Sequence, residues 1–479
     1  MRKAWIAGLA GCAVALAAAA IAAVAATVPA APLVTAASVP GIRQAPHLTV
    51  KPGTVRLAVP QRQAPLTTAE CERAYRIACY QPDQLRTAYN VPPLYRKGIT
   101  GKGQTIVIVD SFGSPTIRHD LAVFDQQFGY PAPPSFSIIA PAGPVPVFST
   151  GKDNMVGWAG ETTLDVEYAH ALAPGAKILL VETPVAETEG VTGFPQIVAA
   201  EEYVINHHLG GVISQSFSAT EETFASYNQL KPLRAAYLDA YKHHVTVLAA
   251  SGDSGAADYG LDQRTFYTRP VTSWPDSDPL VTAVGGTRLT LTGGKYTSVA
   301  WNDTDDSAAT KYFASAQAPV PFASGGGLSE FFARPPYQNG VRSVTGDRRG
   351  VPDISMSAAC DGAVDVFSTF PGQRPGWSLI CGTSEATPEF AAIVALADQV
   401  AGHPLGLINP TLYALAARRA AGIVDVTSGN NTVSFYQGSP PALHTVTGYP
   451  ARAGYDLVTG VGTVNAASFV YELAGVRGS

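Results

Sequence analysis

The sequence predicts an α/β fold, a mostly parallel sheet flanked by helices in a single large domain. Three observations predict it: short apolar runs of strand length recur, helical stretches separate them, and acids or serines stand just beyond several runs. Short apolar runs without polar alternation fit strands buried on both faces, the usual condition of parallel sheets. Alternation of such strands with helices indicates a doubly wound sheet. Sheets of this kind carry their ligand-handling groups past the carboxyl ends of the strands.

Taken in order, Met1-Arg2-Lys3 is a short positive start, followed by an Ala/Val/Ile/Leu run to about Ala26. Residues 1–26 read as a secretory signal, with Ala23 and Ala25 near a cleavage point. The same run is long enough to serve instead as a retained membrane anchor. Leu9-Ala10-Gly11-Cys12 looks like a lipoprotein cleavage box, but it precedes most of the apolar run. Residues 27–80 read as an irregular N-terminal extension, because the Ala/Pro/Val/Thr-rich stretch 27–66 has no helical period.

Beyond it, Thr105–Val109 reads as a buried strand and 158–172 as a helix ending before Pro174. Lys177–Val181 is the next strand, 192–208 a helix, Gly211–Ser214 a strand and 227–243 a helix. Val245–Ala250 is a strand running into Ser251-Gly252-Asp253.

Composition narrows the class. Hydrophobic residues make up 46% of the 479 and charged residues 14%, ample for a core. A net charge of −5 carries no electrostatic footprint for nucleic acid. Few charges are also compatible with acid tolerance. Signal removal takes Cys12 and leaves Cys71, Cys79, Cys360 and Cys381. An even number in an exported chain suggests two disulfides. Three pairings are open; proximity favours Cys71–Cys79 and Cys360–Cys381, and buried free thiols are the alternative. No cysteine pair has close zinc spacing.

Three clusters carry candidate chemistry. Ser384, in Gly382-Thr383-Ser384-Glu385, precedes the apolar stretch Phe390–Leu396 and would sit at a helix N-terminus. Backbone amides there stabilise developing negative charge, although serine is also an ordinary helix cap. A serine hydroxyl needs a base. None of the nine histidines has a Gly-His-Gly setting, and the pairs His207-His208 and His243-His244 fall near predicted helix ends, where they can satisfy carbonyls. Asp110, following its strand, hints at an Asp/His/Ser enzyme that this lack of a matching histidine does not support.

Carboxylates fit better. Glu161 and Asp165 are four apart and share a helix face. The plain reading is a solvated acidic face that includes Glu167. The functional reading is a packed pair in which one carboxyl holds a proton while the other can accept one. A carboxylate base works in acid, where histidine is already protonated. Asp253, again after a strand, can bind a cation, cap a turn, or, if protonated, donate to an oxyanion.

In combination these residues resemble the sedolisin family of serine-carboxyl peptidases, relatives of the subtilisin fold. The resemblance runs from about Gln81 to the C-terminus. It includes Leu85-Arg86-Thr87-Ala88-Tyr89-Asn90, the Glu161/Asp165 pair and Ser251-Gly252-Asp253-Ser254-Gly255. Thr282–Thr287, Ser324–Gly327, Arg349-Gly350-Val351-Pro352-Asp353 and Gly382-Thr383-Ser384 with Pro388 extend it.

The resemblance implies a subtilisin-like peptidase domain over 81–479, with Ser384 as nucleophile, Glu161 as general base and Asp165 orienting Glu161. Asp253 would help form the oxyanion hole, and the segments Ser214–Ser218 and Ser324–Gly327 would hold an extended peptide. It further implies a secreted, monomeric, acid-acting endopeptidase that takes a protein or peptide substrate, with no nucleic acid partner and no stable membrane association after signal cleavage.

The stretches 422–429 and 452–460 look like the two halves of the family's calcium site. Asp425 and Asp456 would supply carboxylates, and Val426, Arg452 and Gly454 carbonyls, a hard-oxygen set suited to Ca²⁺; two turn aspartates are the plain alternative. The chain departs from the family in having Arg452 where glycine is usual, in Val464-Asn465 without a following proline, and in about 60 residues where a long folded propeptide is usual. Either the protein needs no such chaperone and inhibitor, or another chain supplies the role, or the extension wraps the surface and stays attached, the option a Cys71–Cys79 loop would favour. A different class of function remains open in which the fold is catalytically inactive and binds peptides or cell-wall material.

Overall fold

The computed structural model describes residues 55–58, 64–152, 154–314 and 318–476. The signal expected over 1–26 and most of the extension lie outside them. In chain order the strands used below are β1 (Val55–Ala58), β2 (Cys79–Tyr80), β3 (Thr105–Ser111), β4 (Phe136–Ile139), β5 (Lys177–Thr183) and β6 (Val212–Gln215). They continue with β7 (Ala219–Thr220), β8 (Thr246–Ala250), β9 (Ser273–Trp274), β10 (Thr282–Thr292) and β11 (Lys295–Ala300). The last are β12 (Gly327–Ala333), β13 (Arg348–Val351), β14 (Ile354–Ser357), β15 (Ala363–Ser368) and β16 (Gly376–Cys381).

The central sheet has the order β11-β10-β8-β6-β3-β5-β4, with β14 also on β10. Every pairing is parallel except β10 with β11. Val107 stands opposite both Leu179 and Ile213 in register. Ile106–Val109 are completely buried, which is why this strand reads as an apolar run without alternation. The four strands expected from sequence all occur within this sheet, as β3, β5, β6 and β8.

Two long helices, Met155–Leu172 and Thr383–Ala401, pack on the sheet and on each other. Trp158–Leu172 and Thr383–Asp398 are buried on all sides, polar residues included. A helix buried all round belongs to the centre of a large core, and each of these carries a candidate catalytic group. The helix expected over 227–243 is broken into Tyr227–Leu230, a 3₁₀ turn Lys231–Arg234 and Ala235–Lys242. Pro232 explains the break, since it lacks an N–H and crowds the preceding turn.

A second sheet has the order β1-β16-β15-β2. Its inner hairpin, β15–β16, leads directly into the Thr383–Ala401 helix. Residues 64–80, read from sequence as irregular, contain the helix Thr68–Tyr75 capped reciprocally by Thr67 and Glu70, and then β2. Both favoured disulfides form, Cys71–Cys79 and Cys360–Cys381. Among the described residues no helix is long and apolar enough to cross a membrane.

Candidate active site

The loops after β8 and β6 meet the start of the Thr383–Ala401 helix, and the end of β3 lies against the helix of the acid pair. β8 ends in Ser251-Gly252-Asp253, β6 runs on to Ser216, and β3 ends with Asp110 and Ser111. Ser384 is 2% exposed, and Asp110, Glu161 and Asp165 are wholly buried. The solvated acidic face is therefore excluded for Glu161, Asp165 and Glu167, all at 0% exposure. Burial makes the charged forms of these acids costly, and Glu161 stands close enough to Asp165 to oppose its ionisation, whereas Glu167 accepts from the Phe367 N–H.

Asp165 is held well above the usual carboxylate range, chiefly by burial and then by the neighbouring Asp110 and Glu161. Burial likewise pushes Asp110 up to about 7, opposed by the adjacent Thr162 hydroxyl and reinforced by Glu182. The Ser216 hydroxyl donates to Asp165 Oδ1 at 3.0 Å and lies 3.4 Å from the Ser384 carbonyl oxygen. That carbonyl needs an outside partner because Pro388, four residues on, has no N–H to offer it. Sequence reasoning missed Ser216 as a bridge; the signal was the proline four residues after a serine at a helix start.

Asp253 is fixed on the other side. Thr383 donates to Asp253 Oδ1 twice, from its backbone N–H at 2.7 Å and its hydroxyl at 2.8 Å. The Thr383 hydroxyl accepts in turn from the Gly252 N–H at 3.2 Å. Asp253 Oδ2 is buried and makes no hydrogen bond within the protein. Burial pushes this carboxyl up to about 7, against the lowering effect of Thr383 and with a contribution from Asp258. In acid it is therefore a neutral group with a proton to donate.

Gly325 packs against this loop: a Cβ there would lie 1.8 Å from the Ser251 carbonyl oxygen. Its N–H donates to the Gly252 carbonyl at 2.7 Å, and the Ser251 hydroxyl donates to the Gly325 carbonyl at 2.9 Å. The Ser324–Gly327 segment thus buttresses the Asp253 loop.

The calcium expectation is corrected. Among the described residues no group of three or more His, Cys, Asp or Glu side chains could hold a metal ion. Asp425 Oδ2 accepts from the Gly454 N–H at 2.8 Å. Asp456 accepts from the backbone N–H groups of Arg452, Val458 and Thr459, at 2.8, 3.1 and 2.8 Å. Carboxylates aimed at the amide donors of these loops are turn caps. Asp425, Val426, Arg452, Gly454 and Asp456 therefore form closed turns instead of a cation cage.

Comparison with known proteins agrees with this arrangement. The subtilase family matches residues 151–440. The chain is 32% identical over 392 residues to kumamolisin of Bacillus sp. (strain MN-32), covering 80% of this chain and 62% of that protein. It is 29% identical over 314 residues to sedolisin of Pseudomonas sp. (strain 101), covering 64% of this chain and 48% of that protein. The solved structure of Pseudomonas sedolisin, a serine-carboxyl proteinase complexed with two molecules of pseudo-iodotyrostatin, superposes with a TM-score of 0.66 at 26% identity. That match covers 83% of this chain and 99% of the solved one. With a parallel sheet of subtilisin type and these likenesses together, the chain belongs to the subtilase family, in its serine-carboxyl peptidase branch, the sedolisins.

Proposed function

We propose that this protein is a secreted, acid-acting serine-carboxyl endopeptidase that hydrolyses peptide bonds through an acyl-enzyme on Ser384. One observation carries the reading. A carboxyl that is neutral in acid, Asp253, is pinned through one oxygen beside Ser384 and leaves its other oxygen without a protein partner. What supports the catalytic reading is the place of this group, held by Thr383 at the helix start that carries Ser384, where a neutral carboxyl can donate to an oxyanion.

In the proposed sequence Glu161 accepts the Ser384 proton as the oxygen attacks the scissile carbonyl. Asp165, steadied by Ser216, orients Glu161 and shares its proton load. The tetrahedral oxygen takes hydrogen bonds from the Asp253 carboxyl and from a backbone amide at the helix start. Glu161 then protonates the leaving amine, and water releases the acyl group by the reverse steps. The substrate is a protein or peptide in extended form. The two disulfides suit an oxidising compartment, which supports export.

The test is cleavage of an unfolded protein from pH 3 to 7 by the purified chain and by Ser384→Ala. Acid-dependent cleavage abolished by the substitution is expected. Cleavage that survives it removes Ser384 as the nucleophile, and no cleavage by either form favours the inactive, peptide-binding alternative.

A further inference from the structure

The hairpin that delivers Ser384 is bordered on both edges by chain from before residue 81. β1 runs antiparallel to β16, with Val55 opposite Cys381 and Ala58 opposite Ser378. β2 runs parallel to β15, with Cys79 opposite Ala363 and Tyr80 opposite Val364. Between these strands the segment 64–80 is sewn to the hairpin. The Leu66 N–H donates to Asp365 Oδ1 at 3.2 Å, and the Ala78 N–H to Asp361 Oδ1 at 2.7 Å. The Gly362 N–H donates back to the Ala78 carbonyl at 3.1 Å. Leu66, Cys71, Ile77, Cys79 and Tyr80 are buried in the main core.

The hairpin in turn rests on the helix of the acid pair. The Tyr168 hydroxyl donates to the Asp365 carbonyl at 2.8 Å, and the Phe367 N–H to Glu167 Oε2 at 3.2 Å. At its far end β16 is tied to Cys360 by the disulfide at Cys381, three residues before Ser384. Removing residues 55–80 would open both sheet edges, strip partners from buried backbone groups and expose core side chains. A propeptide that is to be discarded is not expected to contribute both edge strands of the hairpin that carries the nucleophile.

We propose that residues 55–58 and 64–80 form a permanent clamp of the mature protein that positions Ser384 through the β15–β16 hairpin, so that any maturation cut falls upstream of Val55. The positioning half of this rests on the peptidase reading; the retention half does not. The first experiment maps the N-terminus of the folded product after acid incubation of the unaltered chain, and after pepsin treatment of the full-length Ser384→Ala chain. Start points before Val55 in both are expected. A folded, fully active product that begins at or beyond Gln81 overturns the proposal.

The second experiment compares the full chain with one beginning at Ala64, which loses β1 and keeps Cys71–Cys79. Amides of β16 that face β1 should exchange at least about tenfold faster, with β6 and β8 unchanged. Labelling of Ser384 by a fluorophosphonate should slow by a similar factor while KM for a peptide stays the same. Unchanged labelling and unchanged β16 exchange overturn the clamp. Absence of labelling in the full chain counts against the peptidase reading alone, because the N-terminal mapping and the amide exchange still report on retention. Mapping uses the intact chain, so retention stays testable if the shortened chain does not fold.

Discussion

The Ser216 hydroxyl stands 3.0 Å from Asp165 Oδ1 and links the helix of the acid pair to the turn that carries Ser384. It can do so because Pro388 leaves the Ser384 carbonyl without its usual helical donor, and that oxygen lies 3.4 Å from the same hydroxyl. Ser216→Ala should therefore lower kcat with little change in KM. A neutral hydrogen bond of this kind is worth about 1 kcal/mol, so a fall of about five- to tenfold is expected. Because Ser216 lowers the Asp165 pKa, its removal also pushes that carboxyl further up. Steady-state kinetics across pH check both; an unchanged kcat would falsify the bridging role.

Asp253 should set the alkaline limit of activity. It donates only while protonated, and its pKa of about 7 means that donation is lost as pH rises through that value. Thr383→Val removes one of the hydrogen bonds that lower this pKa, so the alkaline limb should move to higher pH. Asp253→Ala should cost roughly 10²–10³ in kcat, the usual loss of one oxyanion donor. Asp253→Asn keeps an acceptor for Thr383 and offers an amide N–H that needs no acid, so it should retain more activity than Asp253→Ala and lose the limb near 7. A limb that stays in place in Asp253→Asn assigns it to another group.

What was legible in the sequence were features with a local cause. β3 and β8 show as apolar runs because both faces of each strand are covered, and Glu161 with Asp165 shows because four residues return a helix to the same face. The clamp was hidden because its partners are remote: Leu66 and Asp365 are 299 positions apart, and Ala78 and Asp361 are 283 apart. No local period encodes such pairings. The calcium reading failed for the opposite reason. A turn-capping aspartate and a cation-ligating one occupy the same kind of Gly-rich loop, and only the direction of the carboxylate, toward the amides of Arg452, Val458 and Thr459, separates them.

That correction makes a prediction of its own. Chelator treatment should leave the melting temperature within about 1 °C, since no cation is being removed from the turns; a kcal/mol lost shifts a large domain by only about 2–4 °C. Asp456→Ala should still destabilise the protein, by about 1–3 kcal/mol, because it strands buried amide donors whether or not chelator is present. Thermal melts with and without chelator decide the matter. A chelator-dependent loss in the unaltered chain, absent in Asp456→Ala, would reinstate a cation.

Stability should be greatest in acid and decline toward neutrality. Burial raises several core carboxyls: Asp253 to about 7, Glu221 to about 7, Glu201 to about 8 and Asp398 to about 8. In the unfolded chain such groups titrate near 4. Between roughly pH 4 and 8 the native state thus binds more protons than the unfolded state, and stability falls as pH rises. The contribution of each group is complete below its unfolded pKa and is lost as pH climbs through its folded one. Glu201, wholly buried and accepting from the Gln215 amide, is the cleanest probe because it lies outside the proposed catalytic group. Glu201→Gln cannot ionise, so it should flatten the decline and raise the melting temperature at pH 8 relative to the unaltered chain by about 2–4 °C per kcal/mol recovered. At pH 4, where Glu201 is already neutral, the substitution should give no such gain. Melts from pH 3 to 8 test this directly, and a melting temperature that rises across that range would mean that these carboxyls are ionised in the native core.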